Sequence, residues 1–172
     1  ITFNFLMSLS GGLMVGYLVS KGNPFWTYSG GLAGVITASA GNDLYHPVQA
    51  FFIGGLGIYI AYKLHNWVER RFKIDDAVGA VAVHGYCGFL GCVFAGFLLW
   101  GYPSSPYEGY ATVNPLGNTI GGVIMFFVLG FIPGWVVAKI LDGFGLLRVP
   151  RAVELIGLDF KSLNDEEAAR QD

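Results

Sequence analysis

Residues 75–92 decide the fold of this chain, and they read DDAVGAVAVHGYCGFLGC. Between residues 77 and 102 the chain contains no Asp, Glu, Lys or Arg, and His84 is the only histidine in this apolar run. At about 1.5 Å per helical residue, His84 would lie about two and a half turns beyond Asp75 and Asp76. In a bilayer an imidazole at that depth is costly, and such a group usually faces a bundle interior or a pore.

The composition of the chain indicates a membrane protein. Hydrophobic residues make up 53% of the 172 residues, charged residues make up 13%, and the mean hydropathy is +0.54. The 26 glycines are expected where helices approach each other closely in lipid. The formal net charge of −2 gives no basic footprint for nucleic acid. No nucleophile–base pair, metal-ligand spacing or phosphate loop occurs, so we expect no enzyme, no metal and no cofactor.

Five apolar segments predict an all-α fold, a polytopic membrane helix bundle with five transmembrane helices. These segments cover about residues 2–19, 25–40, 47–64, 77–102 and 116–141. Each approaches the ~20 residues that cross a hydrocarbon core, and the second segment is short for that purpose. We therefore expect residues 1–142 to form a transmembrane region and residues 143–172 to form a cytoplasmic tail.

The basic residues predict the orientation of the bundle. The loops at 41–46 and 103–115 contain no Lys or Arg. The first loop at 20–24, the third loop at 65–76 and the tail after residue 142 contain them. Basic residues stay on the cytoplasmic side, so this distribution places the N-terminus outside and the C-terminus in the cytoplasm. The ten basic residues are Lys21, Lys63, Arg70, Arg71, Lys73, Lys139, Arg148, Arg151, Lys161 and Arg170.

Small residues one turn apart predict close helix packing, because glycine faces let two helix backbones approach each other. The pattern repeats in several spans, which favours a tight multi-helix bundle over isolated lipid-facing anchors. The chain also begins ITFNFLMSLSGG, with no Met and no charged flank, which favours a fragment, a processed chain or one of two parts of a larger membrane protein. The expected packing glycines are Gly12, Gly16, Gly30, Gly34, Gly88, Gly130 and Gly134.

Polar residues at the ends of the spans have simpler interpretations than catalysis. Asp75 and Asp76 could be paired catalytic carboxylates, but we expect them to cap the fourth helix, where carboxylates accept the free backbone N–H groups. His46, beside Pro47 in an outer loop, is expected to be a solvated surface residue. His65 is expected to lie at the cytoplasmic membrane interface.

Four stretches resemble the ammonium transporter family, which includes the Rhesus glycoproteins. Residues 74–91, IDDAVGAVAVHGYCGFLG, are similar to the tenth transmembrane helix of that family. SGGLAGVITASAG resembles the eighth helix, FFIGGLGIYIAYKL resembles the ninth, and LLRVPRAVELIGLD resembles the cytoplasmic tail. The resemblance covers nearly the whole chain in order, and it corresponds to the last five of the eleven helices of the family.

The resemblance implies a function for His84. In the family, two histidines from the fifth and tenth helices share a hydrogen bond and line a narrow apolar pore, and His84 matches the second of them. The resemblance therefore implies the C-terminal half of a transporter or channel for ammonium or ammonia in the cell membrane. It also implies a second polypeptide with the N-terminal half, a homotrimer of complete units and a cytoplasmic P-II-type regulator.

Other interpretations of the chain stay open. The chain could be a non-transporting membrane subunit of a larger complex derived from the same family, or an ammonium sensor. His84 could also tie two helices together through one side-chain hydrogen bond. Six upstream spans with a histidine in the fifth would favour the transporter.

Overall fold

The computed structural model describes residues 1–151 and 153, and within them the regular secondary structure is helical. Helix α2 continues into a short 3-10 turn, Ser39–Gly41. The all-α fold class predicted from the sequence is confirmed. Residue 152 and residues 154–172 lie outside the described residues, and with them most of the predicted tail, including Lys161 and Arg170. The helices are α1, Thr2–Ser20; α2, Pro24–Ala38; α3, Pro47–Phe72; α4, Val81–Leu98; and α5, Pro115–Gly143.

Four of the described helices, α1, α3, α4 and α5, are long and apolar enough to cross a membrane. Helix α2 has only 15 residues, which agrees with the expectation that the second span is short. Several apolar helices of this length support the prediction of a multi-pass integral membrane protein.

The third and fourth spans differ from their predicted limits. Helix α3 does not end near residue 64 but continues to Phe72, and the left-handed backbone of Lys73 ends it. Helix α4 does not begin at residue 77: Gly79 takes a left-handed φ of +64°, and the helix begins with a π-helical turn at Val81. His84 therefore lies in the first turn of α4 rather than two and a half turns inside it.

Helices α1, α2 and α3 form the most tightly packed part of the chain, and they bury glycines instead of large side chains. A Cβ atom on Gly16 would lie 2.6 Å from the carbonyl oxygen of Trp26, so the backbones of α1 and α2 are in direct contact. Gly54 of α3 meets the backbone of Ser8 of α1 in the same way. Close approach of backbones supplies the van der Waals contact that holds helices together in lipid.

The chain divides into two compact units, Ile1–Phe127 and Val128–Asp172. The first contains α1 to α4 and the start of α5, and two clusters of buried apolar residues form its core. In the second, the described part is the last section of α5 and the turn after it. There the N–H of Leu146 donates to the carbonyl of Leu141 at 2.9 Å, while Gly145 takes a left-handed φ of +69°. This turn ends the helix.

Candidate functional site

The first turn of α4 is a π-helix, Val81–Tyr86, and it carries His84. The N–H of Cys87 donates to the carbonyl of Ala82, five residues earlier, so this turn is wider than an α-helical one. Short π-helical turns are rare and often mark functional positions. The local geometry therefore singles out the same residue as the sequence.

The side chain of His84 opens into an apolar cavity of about 190 Å³. Glycines let side chains pack closely around the cavity: a Cβ on Gly85 would lie 3.1 Å from the ring of Phe126, and a Cβ on Gly122 would lie 3.3 Å from Cys92. His84 is the only histidine in the lining, and no Asp, Glu, Lys or Arg of the described residues accompanies it. The other lining residues are Gly85, Gly88, Phe89, Cys92, Gly122, Met125 and Phe126.

The imidazole of His84 is exposed in this chain. Within residues 1–151 and 153, no side-chain hydrogen bond or ion pair involves it. A histidine that tied two helices of this chain together would have such a bond. Because an unpaired imidazole within an apolar span is costly, its exposed side needs water, a substrate or a group from another part of the assembly.

Asp76 lies just ahead of this turn, and its carboxylate accepts two backbone hydrogen bonds. Oδ1 accepts from the N–H of Val81 at 3.1 Å, and Oδ2 accepts from the N–H of Ala82 at 3.0 Å. These N–H groups lack a partner inside the helix, and a carboxylate there also matches the positive end of the helix dipole. The neighbouring Asp75 is exposed, and the described residues give it no such bond.

The predicted packing glycines fall into two groups. Gly12, Gly16, Gly30 and Gly34 lie where α1 and α2 meet backbone to backbone. Gly88 has open space except for one methyl group of Ile36 at 3.9 Å. A Cβ on Gly134 would meet nothing within 4 Å, and Gly130 is exposed. The structure therefore brings the first four residues together and leaves the faces of the last two open in the described part of the chain.

His65, expected at the cytoplasmic membrane interface, is buried against other elements of the bundle. Helix α3 continues past it to Phe72, and the residue is only 7% exposed. Its ring contacts the edge of Trp26 at a centroid distance of 4.7 Å, and both of its nitrogens face carboxylates. The burial comes from residues far away in sequence, so neighbouring residues gave no signal for it.

His46 is exposed, as expected, and it also begins α3. Its Nδ1 accepts a bond from the N–H of Val48 at 3.3 Å, and its own N–H donates to Gln49 Oε1 at 2.9 Å. This reciprocal pattern is a capping box, which the spacing of His46 and Gln49 around Pro47 could have suggested.

No group of three or more His, Cys, Asp or Glu in the described part of the chain has an arrangement that could hold a metal ion. One buried polar residue that the sequence reasoning missed is Asn4. Its Nδ2 donates to the carbonyls of Asn42 at 2.9 Å and Tyr45 at 2.6 Å, which fixes the start of α1 to the loop before α3.

Comparison with known proteins gives one family. The model of the Ammonium Transporter Family matches residues 1–168. Ammonium transporter Amt1 of Methanocaldococcus jannaschii is 32% identical over 89% of this chain and 38% of its own length. The ammonium transporter of Corynebacterium glutamicum is 29% identical over 90% of this chain and 36% of its own length. The chain therefore spans less than half the length of these curated relatives, which are named as transporters and not as enzymes.

Proposed function

The chain belongs to the ammonium transporter family, and we propose that it is the C-terminal half of an ammonium or ammonia transporter whose passage His84 lines. The observation that carries this proposal is the cavity at the first turn of α4, where an exposed imidazole is the only histidine among glycine, aromatic and sulfur-containing side chains. Family membership and the apolar helices together make the chain an integral multi-pass membrane protein.

The chemistry of the cavity suits a small polar solute that can give up a proton. Carrying a bare ammonium ion across apolar surroundings costs many kcal/mol, so a passage must either relay a proton or hold the desolvated species. A neutral imidazole donates from one nitrogen and accepts at the other, so it can bind the solute without a fixed charge. Among the lining glycines, Gly88 leaves room for such a solute, because a Cβ there would meet only one methyl group of Ile36 within 4 Å.

The length of the relatives supports the proposal that a complete transporter has a second part besides this chain. The chain covers 38% of one relative and 36% of another, so a complete unit would contain spans that this chain does not supply. The exposed side of His84 is where those spans would complete the passage. We further propose that the complete units form a homotrimer in the cell membrane and that a cytoplasmic P-II-type protein regulates them.

The orientation belongs to the same proposal. We propose that the loop after α3, with Lys73, is cytoplasmic and that the N-terminus is outside, because the basic residues gather on one side. A cysteine that replaces Lys73 should react with impermeant reagents only from the cytoplasmic side. Reaction from the outside would contradict the orientation.

The test of the pore role uses the complex as it is purified from membrane. Native mass spectrometry of the gently solubilised protein should find a second polypeptide attached. After reconstitution into vesicles, His84→Ala should remove most of the ammonium flux, and His46→Ala should retain it, because His46 lies away from the cavity. The expected loss is about 100-fold, the scale of a positioned proton-transfer group.

Unchanged flux in the His84→Ala variant would contradict the pore role. A complex that assembles but shows no flux even as wild type would favour the alternative, a non-transporting membrane subunit. Ammonium binding without flux would favour a sensor.

A further inference from the structure

His65 joins three separate elements at one end of the bundle. It lies in α3, its ring contacts Trp26 of α2, and its Nδ1 lies 3.4 Å from Oδ2 of Asp76, ahead of α4. Its Nε2 lies 3.2 Å from Oε1 of Glu69, one turn along α3. The residue is 7% exposed, and Asp76 is also mostly buried, so solvent screens the contact between them only weakly.

Asp76 has no second cationic partner among the described residues. Lys73, the basic residue nearest in sequence, forms no ion pair with Asp76 in the described part of the chain. Nε of Arg70 donates to the carbonyl of Asn66 at 2.9 Å, and Arg71 lies over the ring of Phe72. The imidazole of His65 is therefore the basic side chain in contact with the carboxylate of Asp76, with Nδ1 3.4 Å from Oδ2. An N–H that donates to a carboxylate forms a stronger hydrogen bond than one that donates to a neutral acceptor.

The held carboxylate fixes the turn that carries His84. Asp76 Oδ2, which faces His65, also accepts from the N–H of Ala82, and Oδ1 accepts from the N–H of Val81. These two N–H groups belong to the π-helical turn of His84. The chain between Asp76 and Val81 passes through the left-handed Gly79, so the carboxylate is needed to set where the helix begins.

We propose that His65 is a positioning residue: its Nδ1–H holds the carboxylate of Asp76, which in turn fixes the π-helical turn and the direction of the His84 imidazole. The effect on flux rests on the proposed transport function, whereas the structural link does not. His65 touches no transported solute and acts through Asp76.

Two amide variants of His65 separate its two contacts. The Nδ2 of Asn can occupy the position of Nδ1, so His65→Asn keeps a donor for Asp76. The Nε2 of Gln instead matches the imidazole Nε2, so His65→Gln keeps a donor for Glu69 and loses the one for Asp76. His65→Phe keeps the ring contact with Trp26 and removes both ring nitrogens.

Hydrogen exchange of the purified full complex tests the structural link. In His65→Gln and His65→Phe, the amides of Val81 and Ala82 should exchange about tenfold faster than in wild type, the change expected for losing one hydrogen bond to a charged group. In His65→Asn they should exchange within about threefold of wild type. In ¹⁵N spectra of wild type, Nδ1 of His65 should carry a proton.

Equal exchange at Val81 and Ala82 in the Asn and Gln variants would overturn the proposal, and so would an unprotonated Nδ1. If His65→Phe fails to assemble, the comparison of His65→Asn with His65→Gln still tests the proposal. Faster exchange along all of α3 and α4 in every variant would show a general packing role and would also overturn it.

The flux measurement shows whether the link matters for transport. Where His84-dependent flux exists, His65→Gln should lower the maximal rate about tenfold with an unchanged half-saturation concentration, and His65→Asn should restore it. A wild-type complex without flux, but with the expected exchange pattern, would defeat the proposed function and leave the link between His65 and Asp76 in place. Equal flux in both variants would overturn the positioning role.

Discussion

The same glycine spacing gives opposite results in two regions of this protein. Between α1 and α2, Gly12 and Gly30 bring two helix backbones into contact, whereas Gly134 of α5 has open space where a Cβ would be. Of the most apolar 18-residue windows, 39% is buried in α3 but only 6% in α5. The glycine spacing alone therefore predicts only that another helix can approach closely. Whether one does depends on whether a neighbouring helix lies against that face.

The difference in burial between the α1–α2 contact and α5 also bears on where a partner polypeptide would pack. Lipid is as apolar as the exposed face of α5, so apolar surface alone does not require a protein partner there. An open small-residue face and an exposed imidazole are different, because both gain from a neighbour that packs closely or forms hydrogen bonds. The following changes test whether the two regions differ as the structure shows.

The largest effect is expected at the contact of α1 with α2. In Gly12→Ala, the new methyl group would overlap the carbonyl oxygen of Gly30, and neither backbone can move without shifting its whole helix. We expect a loss of about 3 kcal/mol in the free energy of unfolding, at the high end for overpacking. Gly134→Ala is the matched control and should change it by less than about 0.5 kcal/mol.

Unfolding of the detergent-solubilised protein by a denaturing detergent, followed by circular dichroism, measures both variants. If Gly12→Ala and Gly134→Ala were equally stable, the result would contradict the difference between the packed face of α1 and the open face of α5.

The next effect is expected at Asn4, which ties α1 to the loop before α3. Asn4→Leu keeps the approximate volume but leaves the carbonyls of Asn42 and Tyr45 without the donor they now share. We expect a loss of about 2 kcal/mol, because an unpaired buried acceptor retains its desolvation cost. Ser10→Ala is the control, since its exposed hydroxyl donates only within its own helix. A smaller effect of Asn4→Leu than of Ser10→Ala would be inconsistent with this anchoring.

These first two tests also show what the sequence could and could not predict. Apolar segments predicted the helices because a membrane requires long apolar runs, whatever the tertiary contacts. The sequence predicted Asp76 as a cap of α4 but placed the helix start at residue 77, because nothing in the sequence showed that the left-handed Gly79 would separate the cap from a start at Val81. The role of His65 was missed because Trp26 and Asp76, which bury it, lie on other elements.

The π-helical turns were not predicted either, although one has a visible cause. In α5, Pro133 follows the π-helical segment Ile124–Phe131. Proline lacks an N–H, and its ring collides with the carbonyl four residues before it in a regular α-helix, so a widened turn relieves the clash. The turn at His84 contains no proline, and its geometry depends on the cap at Asp76.

A smaller effect, of opposite sign, is expected at Tyr45 in the loop between α2 and α3. Its hydroxyl is buried, and within the described residues it has no hydrogen-bond partner. Burial, with a smaller contribution from Cys92, raises the pKa of this hydroxyl to about 12. Tyr45→Phe should therefore be neutral or stabilise the protein by about 1 kcal/mol, because it removes an unpaired polar group.

The raised pKa of Tyr45 also gives a pH dependence. The unfolded chain releases this proton near pH 10, before the folded chain does, so wild-type stability should fall between pH 10 and 12. Tyr45→Phe should lack this part of the fall, while Tyr107→Phe, at an exposed position, should retain it. If the free energy of unfolding fell equally in wild type and Tyr45→Phe between pH 10 and 12, the result would contradict the burial of the hydroxyl.

The smallest effect in the isolated chain is expected at the open face of α5. Gly134→Ile places a large side chain where a Cβ now meets nothing within 4 Å. Because the side chain can project into lipid, we expect the free energy of unfolding of the chain alone to change by less than about 0.5 kcal/mol. If a second polypeptide packs against this face in the complete assembly, the same side chain would instead force the two helices apart. The variant chain should then lose its partner in native mass spectrometry, with Gly134→Ala intermediate. Full retention of the partner by Gly134→Ile would show that this glycine face lies in lipid and that the partner binds elsewhere.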